Sequence, residues 1–221
     1  MRLFVILFLV TMATGALSQL YPSKLNLAES VAIRLSEPRV QHELGLSDGQ
    51  VDRINDLVAT HTSRQAAINQ RMTNAGAPDI AKLTQELDTL DGTTARQIVA
   101  ALDLSQKERL WQLAIQDAGP FALRSSVVAK KVAVTSAQSK QIEAISAKTL
   151  AELNLLSEQV GKQIDSVPKG SAGNARRDSI SKAFLAKSEQ VEARGARSVL
   201  ALLTKAQKVK WQAIQGRPFR L

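Results

Sequence analysis

Cysteine is absent from all 221 residues, histidine occurs twice, and aromatic residues make up only 4%. Without a thiol there is no disulfide framework, no cysteine nucleophile, no thiolate zinc site and no iron–sulfur cluster. His42 and His61 lie 19 residues apart with no companion motif, so a histidine-based metal site is not indicated. No Ser/His/Asp order can be built around two histidines, and no Gly-rich phosphate loop, HExxH or EF-hand loop is present. The expectation is a protein that is not an enzyme and takes no cofactor and no metal. His61 falls on an apolar helical face and is read as packed or solvated, with no role as a ligand or base, and Trp111 and Trp211 are read as packing residues late in each half. Strand-like alternation is also missing over any useful length. What remains is a chain that is 44% hydrophobic and 22% charged, enough for one or two folded domains and too apolar for a disordered tail.

The first residues read as a leader. Met1-Arg2 supplies a positive start, Leu3 to Met12 is apolar apart from Thr11, and Ala16-Leu17-Ser18 is a small-x-small cleavage pattern. The run is shorter than the roughly 18 to 20 residues that span a bilayer, so a secretory signal over residues 1–18 is expected, cleaved after Ser18. The mature chain is then expected to be periplasmic or secreted, with no later segment apolar enough to be a membrane span.

Charge divides the mature chain. Residues 19–120 hold 10 Lys/Arg and 13 Asp/Glu, net −3, whereas residues 121–221 hold 18 and 7, net +11. In the cytosol such a balance would point to nucleic acid, but outside the cell no nucleic-acid partner is expected.

The division coincides with internal self-similarity. Val40 to Ile54 aligns without gaps on Val128 to Ile142, an offset of 88 residues. Further on, Leu104-Ser105-x-x-Glu108 followed by Trp111 aligns with Leu203-Thr204-x-x-Gln207 followed by Trp211, and each half closes on a turn and a phenylalanine at Phe121 and Phe219. Two helical repeats are expected, residues 19–120 and 121–221. Four pentads share one logic: an apolar residue, a hydroxyl, two variable positions, then Gln or Glu. They are Leu46-Ser47-x-x-Gln50, Leu104-Ser105-x-x-Glu108, Val134-Thr135-x-x-Gln138 and Leu203-Thr204-x-x-Gln207. This is a capping box, in which the hydroxyl accepts from the backbone three residues on and the Gln or Glu reaches back to the cap's own N–H.

Between the caps the period is helical. Val51, Ile54, Val58, His61, Gln65, Ile68 and Met72 keep a 3/4 spacing after Ser47, and Ile142, Ile145, Thr149, Leu153, Leu156 and Val160 do so after Thr135. Returning helices are expected over 79–102 and 174–201, reversed by the breakers at 75–78 and 167–173. The fold class is therefore all-α, two tandem long amphipathic hairpins, extended or cradle-like.

The pentad Leu203-Thr204-x-x-Gln207 resembles the LTxxQ motif of the Spy/CpxP-like periplasmic proteins, with the other three pentads as variants. The resemblance covers residues 38 to 216 read as two fused copies, a pseudo-dimer within one chain. It implies an ATP-independent holdase chaperone or an envelope-stress modulator, whose partners are unfolded or partly folded proteins or an envelope protein. Family zinc chemistry uses clustered histidines, which this chain lacks. The charge of the second half gives candidate client-binding or anion-binding residues: Lys130, Lys131, Lys140, Lys148, Arg176, Arg177, Lys182, Lys187, Arg194 and Arg197. Cations beside shallow apolar grooves steer acidic, unfolded chains, and the same cations would serve a structural or adhesion module that docks on anionic envelope surfaces.

Overall fold

The computed structural model describes residues 29–73, 76–168 and 170–219. The expected leader, and Ala75 and Lys169 of the two breakers, lie outside the described residues. Among these residues the chain is all-α, with no strand: a 3-10 helix at Glu29–Ser36, α1 Pro38–Leu44, α2 Asp48–Thr73, α3 Ala77–Ala100, α4 Leu104–Ala118, a second 3-10 helix at Gly119–Arg124, α5 Ser126–Val132, α6 Ser136–Asp165, α7 Ser171–Ala201 and α8 Lys205–Ile214. No helix among the described residues is long and apolar enough to cross a membrane. The chain forms two compact units. One comprises the elements up to Asp117 together with the last residues from Ile214, and the other runs from Ala118 to Ala213.

In the first unit α2 and α3 fold back on each other as a hairpin. Gly76 is the N-cap of α3 and Pro78 sits in its first turn, where a missing N–H costs nothing. The buried face of α2 is Ile54, His61 and Ile68, three members of the stripe that the period predicts. The 3-10 helix packs on both hairpin helices and α1 packs on it. Their meeting point is a core of Leu35, Val40, Ile54, Ile98, Leu110 and Leu113, all fully buried. Burial of each such side chain contributes roughly 1.5–3 kcal/mol. Phe219, near the end of the chain, packs against this core.

In the second unit α6 and α7 form a hairpin, with the second 3-10 helix packed on both. Leu123, Val128, Val132, Ile142, Leu153, Phe184, Val199 and Trp211 are buried in it. On α6 the buried stripe is Ile142, Ser146, Thr149 and Leu153, while Ile145 is half-buried. The two hydroxyls return their hydrogen bonds to the preceding turn, Ser146 Oγ to the Ile142 carbonyl at 2.8 Å and Thr149 Oγ1 to that of Ile145 at 2.9 Å.

Candidate functional site

The short helices α1 and α5 end alike. Gly45 and Ala133 both stand in the left-handed region, at φ 60° and φ 62°. In each case the following residue's N–H bonds back into the helix, Leu46 to the Gln41 carbonyl at 3.1 Å and Val134 to that of Ala129 at 2.8 Å. That turn aims the next residues, Ser47 and Thr135, as caps of the long helices. Thr135 Oγ1 accepts from the Gln138 N–H at 3.2 Å and Gln138 Oε1 accepts from the Thr135 N–H at 2.9 Å, a complete capping box. Ser47 and Gln50 repeat it at 3.4 and 3.0 Å, and Thr204 and Gln207 at 3.3 and 2.9 Å.

The fourth box stands in a different register from the expected one. Leu104, Ser105 and Glu108 are not the motif: Leu104 is 85% exposed, and Ser105 Oγ donates to Asp103 Oδ1 at 2.8 Å instead of capping. The cap is Asp103, whose Oδ1 accepts from the Gln106 N–H at 2.8 Å while Gln106 Oε1 accepts from the Asp103 N–H at 3.0 Å. Leu102 is the buried apolar residue before it. The physical reason is that an aspartate caps as well as a serine and the buried leucine must face the core, so Leu102-Asp103-x-x-Gln106 wins over the frame two residues later. The Gln106 backbone N–H foremost, and the Ser105 hydroxyl after it, donate to the charged carboxylate of Asp103 and lower it from its ordinary value. In this frame Leu110, fully buried, occupies the place four residues after the glutamine that Trp211 holds in the second unit. Trp111, half-buried, is one residue out of that correspondence.

The pairing of the motif glutamines was not anticipated. In the first unit Gln50 Nε2 donates to Gln106 Oε1 at 2.7 Å and Gln106 Nε2 donates to Gln50 Oε1 at 3.0 Å, closing an amide ring. Each amide sends its second N–H across to the loop that precedes the partner helix, Gln50 to the Ala101 carbonyl at 3.0 Å and Gln106 to that of Gly45 at 3.3 Å. In the second unit Gln138 and Gln207 form the same ring at 2.9 and 2.8 Å. Their second N–H groups reach the carbonyls of Leu202 and Ala133, both at 2.7 Å. An amide offers two donors and two acceptor positions, and each of these four side chains fills all of them. The rings tie the base of each hairpin and use every donor and acceptor of the four glutamine amides.

The candidate cations are distributed over α5, α6 and α7. All are exposed except Arg177, which is half-buried. Arg177 is turned onto its own loop, donating to the carbonyls of Val167 at 2.7 Å and Pro168 at 3.3 Å, and Arg194 pairs with Glu152. Among the described residues no group of three or more His, Asp or Glu is arranged to hold a metal.

An open groove of about 920 Å³ lies on the α2–α3 hairpin of the first unit. Leu57, Ala67, Ile68 and Leu90 supply its apolar part, and Thr60, Thr89, Thr93, Thr94, Gln85 and Gln97 its polar part. Arg64, Arg71 and Lys82 line it with a single acid, Glu86, which is bonded to Arg71 at 3.0 Å. The groove is thus cationic within an acidic half of the sequence. On the same hairpin His61 is 4% exposed, and its Nε2 lies 2.6 Å from Asp91 Oδ1. Of the two readings open to His61, packed or solvated, the structure shows the packed one, and its partner, 30 residues away, carried no local signal.

No protein-family model, no curated protein and no solved structure matches this chain.

Proposed function

We propose that the protein is an extracytoplasmic, non-catalytic binding protein, an ATP-independent holdase chaperone or envelope-stress modulator of the Spy/CpxP-like kind, made of two fused copies of one helical unit. The observation that carries this reading is the groove on the α2–α3 hairpin, where Leu57, Ile68 and Leu90 sit among Arg64, Arg71 and Lys82. A shallow apolar surface with cations around it holds unfolded segments weakly and attracts acidic ones at range, without a cofactor. Paired capping glutamines in both units support the resemblance to the LTxxQ pattern and the reading of the chain as two copies. The expected leader supplies the periplasmic or secreted location.

The test is light scattering of a chemically unfolded client diluted into buffer with and without residues 19–221, at low and high salt. Suppression of scattering that fades with salt is expected, because exposed charges are screened within about 10 Å at 0.1 M. Leu57→Asp with Leu90→Asp is expected to abolish it while helical circular dichroism persists. Unchanged client aggregation at both salt concentrations would overturn the reading. The second reading, docking on anionic surfaces, is favoured by the exposure of Lys130, Lys131, Lys140 and Lys148. Sedimentation with anionic against neutral vesicles tests it, and equal partitioning would refute it.

A further inference from the structure

The last residues of the chain make a set of contacts that a loose terminus does not make, since chain ends are poorly ordered unless something ties them down. Within the first unit they run beside α1 and α4. Gln116 of α4 reads the backbone at three points: its Oε1 accepts from the Phe219 N–H at 2.8 Å, and its Nε2 donates to the carbonyls of Gln215 at 2.6 Å and Arg217 at 2.9 Å. Arg109 adds a second donor to the Arg217 carbonyl at 2.8 Å. One side-chain amide thus clasps both a carbonyl and the N–H two residues on.

The side chains are read as well. The Arg217 guanidinium donates through Nε to Glu43 Oε1 at 2.8 Å, and the same carboxylate pairs with Arg109 at 2.6 Å. Burial opposes charge on Glu43, but the hydrogen bonds from Arg109 and Arg217 outweigh it and lower the carboxyl from its ordinary value. Gly216 stands at φ +65°, and a Cβ there would fall 2.0 Å from Gln112 Oε1, so any other residue would strain the backbone and push the Gln112 amide aside. Pro218 has no N–H to satisfy and keeps Arg217, where the chain bends, from continuing the helix. Phe219 packs on the core, with the Arg39 guanidinium 5.8 Å above its ring. Each residue from Gly216 to Phe219 has its own reason to be there, and Gln215 contributes its carbonyl.

We propose that the α1–α4 face of the first unit is a peptide-recognition site for a Gln-Gly-Arg-Pro-Phe segment that turns at its glycine, filled here by the chain's own residues 215–219 and able to take the same segment from a second copy. All the determinants lie within five consecutive residues, so recognition does not depend on which copy supplies them. In cis the tail is present at an effective concentration of order millimolar and keeps the site closed to competitors. Exchange of the tail between copies is a low-cost route to self-association of the kind seen in domain swapping. The proposal goes beyond the holdase reading and does not depend on it.

The test uses a fluorescent peptide of residues 214–221 and the mature chain with Arg217→Ala and Phe219→Ala, which empty the site in cis. Fluorescence anisotropy is expected to show binding at least tenfold tighter to this variant than to the wild type. The same peptide carrying Gly216→Ala is expected to lose at least tenfold, as is the peptide on a variant that also carries Glu43→Gln. Equal binding to wild type and variant, or no binding to a variant with native circular dichroism, would overturn the proposal. If the double variant loses its helical signal, the single Arg217→Lys chain replaces it, with the same ranking expected and the same refutation.

Discussion

Deleting one motif glutamine tests the amide rings directly. Gln138→Ala removes four hydrogen bonds: the two to Gln207 at 2.9 and 2.8 Å, the one to the Leu202 carbonyl at 2.7 Å, and the one from the Thr135 N–H at 2.9 Å. A hydrogen bond nets roughly 0.5–1.5 kcal/mol, and a group left unpaired in the interior adds its desolvation. Thr135 is exposed and recovers water, whereas Gln207 is 7% exposed and does not, so the expected loss is about 3 kcal/mol. Gln207→Ala mirrors it. The two bonds between the amides are counted in both single variants, so the double variant is expected to fall short of the sum by about 1.5 kcal/mol. The measurement is urea unfolding followed by circular dichroism, with Trp211 fluorescence in a Trp111→Phe background reporting the second unit by itself. Single losses below about 1 kcal/mol that add without coupling would refute the ring as a stabilising element.

Four further outcomes follow from the same geometry. Asp103→Ala is expected to lower the urea midpoint of the first unit, while Ser105→Ala leaves stability within about 0.5 kcal/mol; the reverse order would restore the Leu104 to Glu108 frame. Ala133→Gly is expected to stabilise the second unit by about 0.5 kcal/mol or more in thermal melts, since a left-handed φ of 62° strains any side chain with a Cβ. Gly45→Ala in the first unit is expected to cost about 1 kcal/mol by the same reasoning, and a gain there would contradict it. Glu43 has its carboxyl lowered in the fold, so its contribution is present above the ordinary value of 4.5 and is lost as pH falls below that toward its folded value. Stability of the wild type should therefore decline more steeply below pH 4.5 than that of Glu43→Gln in acid-titrated urea melts, and parallel curves would count against the Arg109–Glu43–Arg217 cluster.

The all-α class was legible because 3/4 spacing runs for over 20 residues on each side of two breakers, and the buried stripe Ile54, His61, Ile68 lies where that spacing puts it. The fourth box was misread for a local reason. Leu102-Asp103-x-x-Gln106 and Leu104-Ser105-x-x-Glu108 overlap, both satisfy the capping pattern, and only the burial of Leu102 against the exposure of Leu104 separates them. A capping box explains one face of a glutamine's amide, so the pairing of its other face across 56 or 69 residues has no signature in a single strand of text. The return of the tail is invisible for a related reason: after Ile214 there is no period to follow, and Gly216, Arg217 and Pro218 read only as the turn that closes the second half, with nothing to say what it packs on. Charge pointed to the second half, whereas the groove lies on the hairpin of the acidic half, because a net sum says nothing about which few cations line a concavity.

The two hairpins share their caps and differ in how their helices meet, which locates the weakest tolerance for change. In the first, His61 reaches across to Asp91 and its buried ring fills the interval between helices. Thr149, at the position 88 residues on, has a side chain too small to fill that interval, so the second hairpin closes it by drawing α7 inward at Gly195. A Cβ on Gly195 would fall 2.4 Å from Thr149 Oγ1 and 2.8 Å from the Phe121 ring. Thr149 is held by its bond to the Ile145 carbonyl, and Phe121 is 7% exposed on the second 3-10 helix, so neither has room to give. Replacing a helical glycine by alanine ordinarily stabilises by up to about 1 kcal/mol, while overpacking a tight contact costs about 1–3 kcal/mol. The contact should win. Gly195→Ala is expected to destabilise the second unit by about 1–2 kcal/mol, and adding Thr149→Ser, which removes the methyl but keeps the hydroxyl, should recover little because the hydroxyl oxygen is the nearer obstacle. Thr149→Ala should recover more. A Gly195→Ala chain that melts at or above the wild-type temperature would show that the helices separate freely and that close approach at this position does not hold the hairpin together.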